Sequence, residues 1–115
     1  MQYLLMIYNT ESGWDRLSEA EQQKIKNGFG QLRDDLTPAG KFVGGNQLQP
    51  VATATTVRFN NGKKVVTDGP FAETKEQLGG YFLVEAKDLD EALSIASRMP
   101  LIDGSVEIRP VVSRG

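Results

Sequence analysis

The sequence predicts an α+β domain: one antiparallel sheet, two helices on a single face of it, and a β-hairpin inserted between its two halves. Three observations carry this. Short apolar or alternating segments at 2–8, 42–48, 80–86 and 105–112 have the length and pattern of strands. Two longer segments, beginning at Ser18 and at Asp88, repeat apolar residues at helical spacing. Between them, Asn61-Gly62 separates two β-prone runs, the strongest short signal for a hairpin.

In chain order, residues 2–8 read as a central strand, because both faces are apolar: Tyr3, Leu5 and Ile7 on one, Leu4, Met6 and Tyr8 on the other. Asn9–Gly13 reads as a polar loop. Trp14, the only tryptophan, caps the core or a subunit seam, or else lines a ligand pocket. The first helix starts at Ser18, whose spacing to Glu21 is that of a capping box. Ile25, Phe29, Leu32 and Leu36 form its apolar face, and Pro38 and Gly40 stop it near 36–39. Asp34-Asp35 reads as a solvated helix face. In the strand at 42–48, Gly44-Gly45 marks a bulge or a close backbone approach.

A two-residue loop at Asn61-Gly62 places Val57 opposite Val66 and Phe59 opposite Lys64. The following strand, Gly80–Ala86, has Phe82, Val84 and Ala86 on one face and Tyr81, Leu83 and Glu85 on the other. The second helix has Asp88 and Glu91 at capping-box spacing, with Leu89, Ala92, Leu93, Ala96 and Met99 as its expected buried stripe and Pro100 as its stop. The last strand, Ser105–Val112, contains Pro110, which confines it to an edge or a strand end. Without the hairpin, the order β-α-β, β-α-β is the split βαβ, ferredoxin-like plan. Two helices cover one sheet face. The other is apolar as well, and a second subunit covers it most economically.

Composition narrows the function classes. A chain of 115 residues with 39% apolar and 24% charged residues reads as one ordinary globular domain, spanning 1–115. A net charge of −2 with scattered basic residues argues against nucleic acid or an anionic membrane as partner. The chain contains no cysteine, which fits a reducing cytoplasm, and no histidine, so the commonest general base and transition-metal ligand are both missing. No metal or cofactor is expected. Tyr3–Tyr8 is too short for a signal-peptide core, and no apolar run approaches the roughly 18 residues of a membrane span.

The most unusual backbone lies at 68–81. Gly69-Pro70 is a turn pair that Asp68 tightens by accepting a backbone N–H, and Phe71 is expected to anchor the loop in the core. Gly79-Gly80 frees the backbone just before the apolar run Tyr81–Val84. Asp68, Glu73 and Tyr81 are the candidate acid–base residues, since burial raises a carboxylate pKa toward neutrality. The structural alternative is that Asp68 only tightens its turn and Glu73 pairs with Lys75 or solvent. Gly69, Pro70, Phe71, Lys75, Gly79, Gly80 and Arg109 are the candidate ligand-binding residues. Arg109 reads either as an ion-pair partner of a strand glutamate or as an anion binder.

Asp68-Gly69-Pro70-Phe71, Glu73-Thr74-Lys75-Glu76 and Gly79-Gly80 resemble the YCII-related proteins of the DGPF type. The resemblance extends through Tyr3–Tyr8, Val43-Gly44-Gly45, Leu48-Gln49-Pro50, Ala54–Arg58, Leu89–Leu93 and Val106–Val111, and so covers nearly the whole chain. It implies a ferredoxin-like fold that pairs into a dimeric α/β barrel. It also implies a link to extracytoplasmic-function sigma factors, near which many members are encoded. It assigns no reaction. Some relatives use a histidine–aspartate pair, and some related dimeric barrels bind haem; a chain without histidine can take over neither the pair nor histidine ligation of haem. Three readings follow: a homodimeric ligand-binding or regulatory module, a cofactor-free acid–base enzyme acting on a small polar metabolite at the 68–81 loop, and a purely structural dimer.

Overall fold

The sheet is built around its first strand. In a computed structural model describing residues 1–113, β1 (Gln2–Asn9) lies between β5 (Gln77–Glu85) and β6 (Ser105–Pro110), and β2 (Phe42–Gln47) pairs with the far side of β5. The order β2-β5-β1-β6 is antiparallel throughout and is that of a ferredoxin-like plait. Arg114 and Gly115 lie outside the described residues. Pro110 ends β6, which is an edge strand.

Alternation decides which face is the core. Tyr3, Leu5 and Ile7 of β1 and Phe82 and Val84 of β5 are buried, together with Ala86 just beyond. Over them lie α2 (Glu19–Leu36), through Leu32 and Leu36, and α3 (Leu89–Ser97), through Ala92 and Ile95, with Met99 beyond its end. The opposite face carries Leu4, Met6, Tyr81 and Leu83, which are only half-buried. α2 begins with the complete capping box: Ser18 Oγ accepts from the Glu21 N–H at 3.1 Å, and Glu21 accepts from the Ser18 N–H at 3.0 Å.

Several expectations change. Residues 9–13 are not simply a loop: α1 (Glu11–Asp15) is a short helix capped by Thr10, whose hydroxyl accepts from the Gly13 N–H. The second box is half-formed, since Asp88 accepts from the Glu91 N–H while Glu91 reaches past it to the Lys87 N–H. Leu89 and Leu93 are 56% and 53% exposed, so α3 buries the overlapping stripe Ala92, Ile95, Ala96 and Met99 instead. β5 begins at Gln77, three residues before the expected start at Gly80, so Gly79 also lies inside it, and the β1–β5 register slips between Ile7 and Tyr8, leaving Gly79 as the extra residue. Gly44-Gly45 serves both expected roles. The β2–β5 register shifts between Phe42 and Gly44, leaving Val43 as the extra residue beside the glycine pair, and a Cβ on Gly45 would sit 2.7 Å from the Phe82 ring and 2.8 Å from the Tyr81 carbonyl.

β3 (Thr55–Asn60) and β4 (Lys63–Asp68) form a sheet of their own, with Val57 opposite Val66 and Phe59 opposite Lys64. Asn61 and Gly62 have φ of 50° and 81°, the left-handed pair that a tight hairpin turn requires. At the root, Gly69 N–H donates to the Ala54 carbonyl at 2.8 Å and Thr56 Oγ1 donates to the Gly69 carbonyl at 2.7 Å. These bonds hold the turn, and the Asp68 carboxylate, expected to do so, takes part in neither. Phe71 is 71% exposed instead of anchored. Its carbonyl accepts from the Arg58 guanidinium, which draws the backbone to the hairpin and leaves the ring outside.

Candidate functional site

A cavity of about 580 Å³ opens on the helix-covered side, at the end of the sheet where β2 meets β5. Its size is in the range of small-ligand sites. The floor is aromatic because β5 turns Phe82 toward the helices. Phe29 of α2 and Phe42 of β2 meet that ring edge-on, at 5.9 and 5.1 Å between centroids. Gly45 leaves room beside the ring for the backbone alone.

One wall is α1 with the middle of α2, from Ile25 to Arg33. Trp14 is half-buried in it, and the Lys26 ammonium stands 5.9 Å from the centre of its ring. The facing wall is the segment after β2, Leu48-Gln49-Pro50. A hydrogen bond ties α1 to the chain just beyond that segment: Glu11 accepts the Val51 N–H at 2.6 Å. Asn9, Gln47 and Arg33 add polar groups. Apolar floor, aromatic side wall and a few polar groups at the margin can hold a small molecule with one apolar surface and polar substituents. Among the described residues no group of three His, Cys, Asp or Glu side chains has a metal-binding arrangement.

The candidates from the sequence divide. Gly79, Gly80 and Tyr81 border the cavity. The Tyr81 hydroxyl accepts from Asn46 Nδ2 at 3.0 Å. Asp68, Gly69, Pro70 and Phe71 stand at the hairpin root, and Glu73 and Lys75 are exposed in the loop that follows. Asp68 pairs in register with Thr55 and Tyr81 with Met6, so the three acid–base candidates are spread over two sheets and a loop. Arg109 is exposed on β6 and lies 3.9 Å from Glu107. The carboxyls held below the usual glutamate range are elsewhere, at helix starts: Glu21 by the Ser18 N–H, and Glu91 first by the Lys87 N–H and then by Lys41. The aromatic set around Phe82 is missing from the sequence-based site. Trp14 as a pocket residue was the one available signal for it.

Fold and cavity together define an α+β plait with a ligand-sized hollow between sheet and helices. The chain matches the model of the YCII-related domain over residues 1–113 and belongs to that family. It is also 37% identical over 114 residues to an uncharacterized protein of Rhizobium meliloti (strain 1021), covering 96% of this chain and 92% of that protein.

Proposed function

We propose that the protein is a small homodimeric ligand-binding module of the DGPF type, and that its ligand occupies the cavity between α1, α2, β2 and β5. The observation that carries this reading is the hollow itself: about 580 Å³, floored by Phe82 with Phe29 and Phe42 packed edge-on against it, and walled by the only tryptophan. Asp68-Gly69-Pro70-Phe71 supports the DGPF assignment. Leu4, Met6, Tyr81 and Leu83 on the open sheet face support the dimer, because an apolar face of this kind is normally covered. The expected interface is centred on these residues and exceeds about 1,000 Å². A cytoplasmic regulatory role beside a sigma factor fits the resemblance and the cysteine-free composition. Among the described residues no helix is long and apolar enough to cross a membrane.

A thermal-shift screen of small aromatic and amide-bearing metabolites tests the site, with Gly30→Phe as the control. Gly30 borders the cavity, and a Cβ there meets nothing closer than the Arg33 guanidinium at 3.7 Å. The phenyl group therefore fills the hollow while helix propensity improves. Hits should quench Trp14 fluorescence and vanish in Gly30→Phe. Hits that survive in that variant place the ligand elsewhere.

A further inference from the structure

Between β2 and β3 the chain passes along the cavity, and both ends of this passage are fixed. At the near end the Leu48 N–H donates to the Gly79 carbonyl of β5 at 2.9 Å. At the far end the Ala54 carbonyl accepts from the Gly69 N–H at 2.8 Å. Between them lies one helical turn, Val51–Thr53, whose own hydrogen bonds are local. Among the described residues, the one hydrogen bond from 49–53 to another part of the chain runs from the Val51 N–H to the Glu11 carboxylate, at 2.6 Å. A carboxylate acceptor makes that bond charge-assisted, and stronger than a neutral one.

Everything around these five residues is held. Leu48 follows directly on the four-stranded body of the protein. At the other end the β3–β4 hairpin stands out as an arm: its strands pair only with each other, and every residue of it except Thr56 is exposed. Gly69 at its root has a φ of 94°, which suits glycine; its N–H reaches Ala54 while its carbonyl accepts from Thr56 Oγ1. The Asp68-Gly69-Pro70 turn therefore pins the far end of the passage and stands outside the cavity lining. α1 is tied to α2, since Gln22 Nε2 donates to the Trp14 carbonyl at 3.0 Å. What is left to move is 49–53. Gln49, Pro50, Ala52 and Thr53 are exposed, and a segment with few buried contacts opens locally while its surroundings stay folded.

We propose that residues 49–53 are a strap that gates the cavity, and that Glu11 is its latch. With the Val51 N–H bound, the strap is drawn to α1. With it released, the strap swings about Leu48 and Ala54 and widens the entry between Pro50 and α1. This deepens the ligand-binding reading above and rests on it for what enters.

The latch is tested without a ligand, by amide hydrogen exchange followed by NMR at constant pH. In Glu11→Ala the Val51 amide loses its acceptor and should exchange about tenfold faster or more, while the Leu48, Leu5 and Val84 amides keep their rates. Glu11→Gln keeps an oxygen at the same reach and should restore most of the protection. A Val51 rate unchanged in Glu11→Ala, or a rise shared by Leu5 and Val84, overturns the proposal. Acrylamide tests the gate. Its quenching of Trp14, which lines the cavity, should rise about twofold or more in Glu11→Ala. Adding Gly30→Phe, which fills the hollow, should cancel the rise; a rise that survives comes from outside the cavity and overturns the gate. Hits from the thermal-shift screen separate the two readings. If a hit is lost in Gly30→Phe yet associates at an unchanged rate with Glu11→Ala, the gate fails and the site stands. If exchange and quenching change as expected and no hit depends on Gly30, the gate stands and the ligand-binding reading fails.

Discussion

The body and the arm are written in the same residue types and end in opposite surroundings. Leu5 and Val84 in the central strands have no exposed surface, while Val66 and Phe59 in the arm are mostly exposed. Both regions have well-paired ladders. They differ in what lies over the ladder: two helices over one, nothing over the other in a single chain. Pairing was set locally in the arm, by a two-residue turn. In the body it joins strands from opposite ends of the sequence, and burial must supply the stability.

The largest effect that would break this contrast belongs to the body. Leu5→Ala removes a fully buried side chain and should cost about 2–5 kcal/mol by urea unfolding. Val66→Ala, at a 64%-exposed position, should change protomer stability by no more than about 0.5 kcal/mol. Equal costs would mean that the arm is part of the core. Gly45→Val comes next: its side chain must enter space held by the Phe82 ring and the Tyr81 carbonyl, and about 1–3 kcal/mol should be lost. Gly62→Val sharpens the comparison from the other side. A β-branched residue resists a φ of 81°, so the melting curve should shift by an amount equivalent to about 1 kcal/mol. An unchanged curve would show the turn to be energetically separate from the body.

The smallest effect is electrostatic and confined to the body. Glu91 is held below the usual glutamate range by the Lys87 N–H and the Lys41 ammonium. Its folded pKa is lower than its unfolded one, so its contribution is present above the unfolded pKa and fades as pH falls through the folded value. Glu91→Gln should therefore lower stability slightly in the neutral region and flatten the acid limb, so that the two chains converge at low pH, as measured by urea midpoints from neutral to acid pH. The same steep limb in the variant would put the acid sensitivity elsewhere.

Much of this is legible in the sequence alone. Ser18–Glu21, Val57 opposite Val66 and the paired faces of β1 and β5 follow from local chemistry and from periodicity of two or 3.6. What was not legible depends on neighbours distant in sequence. Phe71 looks like an anchor because it is apolar among polar residues, but Arg58 holds the backbone and the ring has nothing to pack on. Apolar residues at 89, 92, 93, 95, 96 and 99 contain two overlapping stripes, and only the position of the sheet selects the one with Ile95. α1 is five residues with a glycine inside, too short for periodicity to register. The cavity was the least legible feature, because Trp14, Phe29, Phe42 and Phe82 meet only after four separate segments are in place.

The position of β1 has a consequence for how the chain is made. Its partners are far downstream: Tyr3 lies opposite Val84 on one side and Pro110 on the other. At ribosomal rates of about 5–20 residues per second, β1 waits on the order of 5–20 s for its second neighbour. The arm closes within microseconds of leaving the ribosome, because its two strands are consecutive. Until β5 is made the most apolar strand of the protein is unpaired on both edges, and until β6 is made it is unpaired on one, which is when a nascent chain is most exposed to aggregation and most in need of a chaperone.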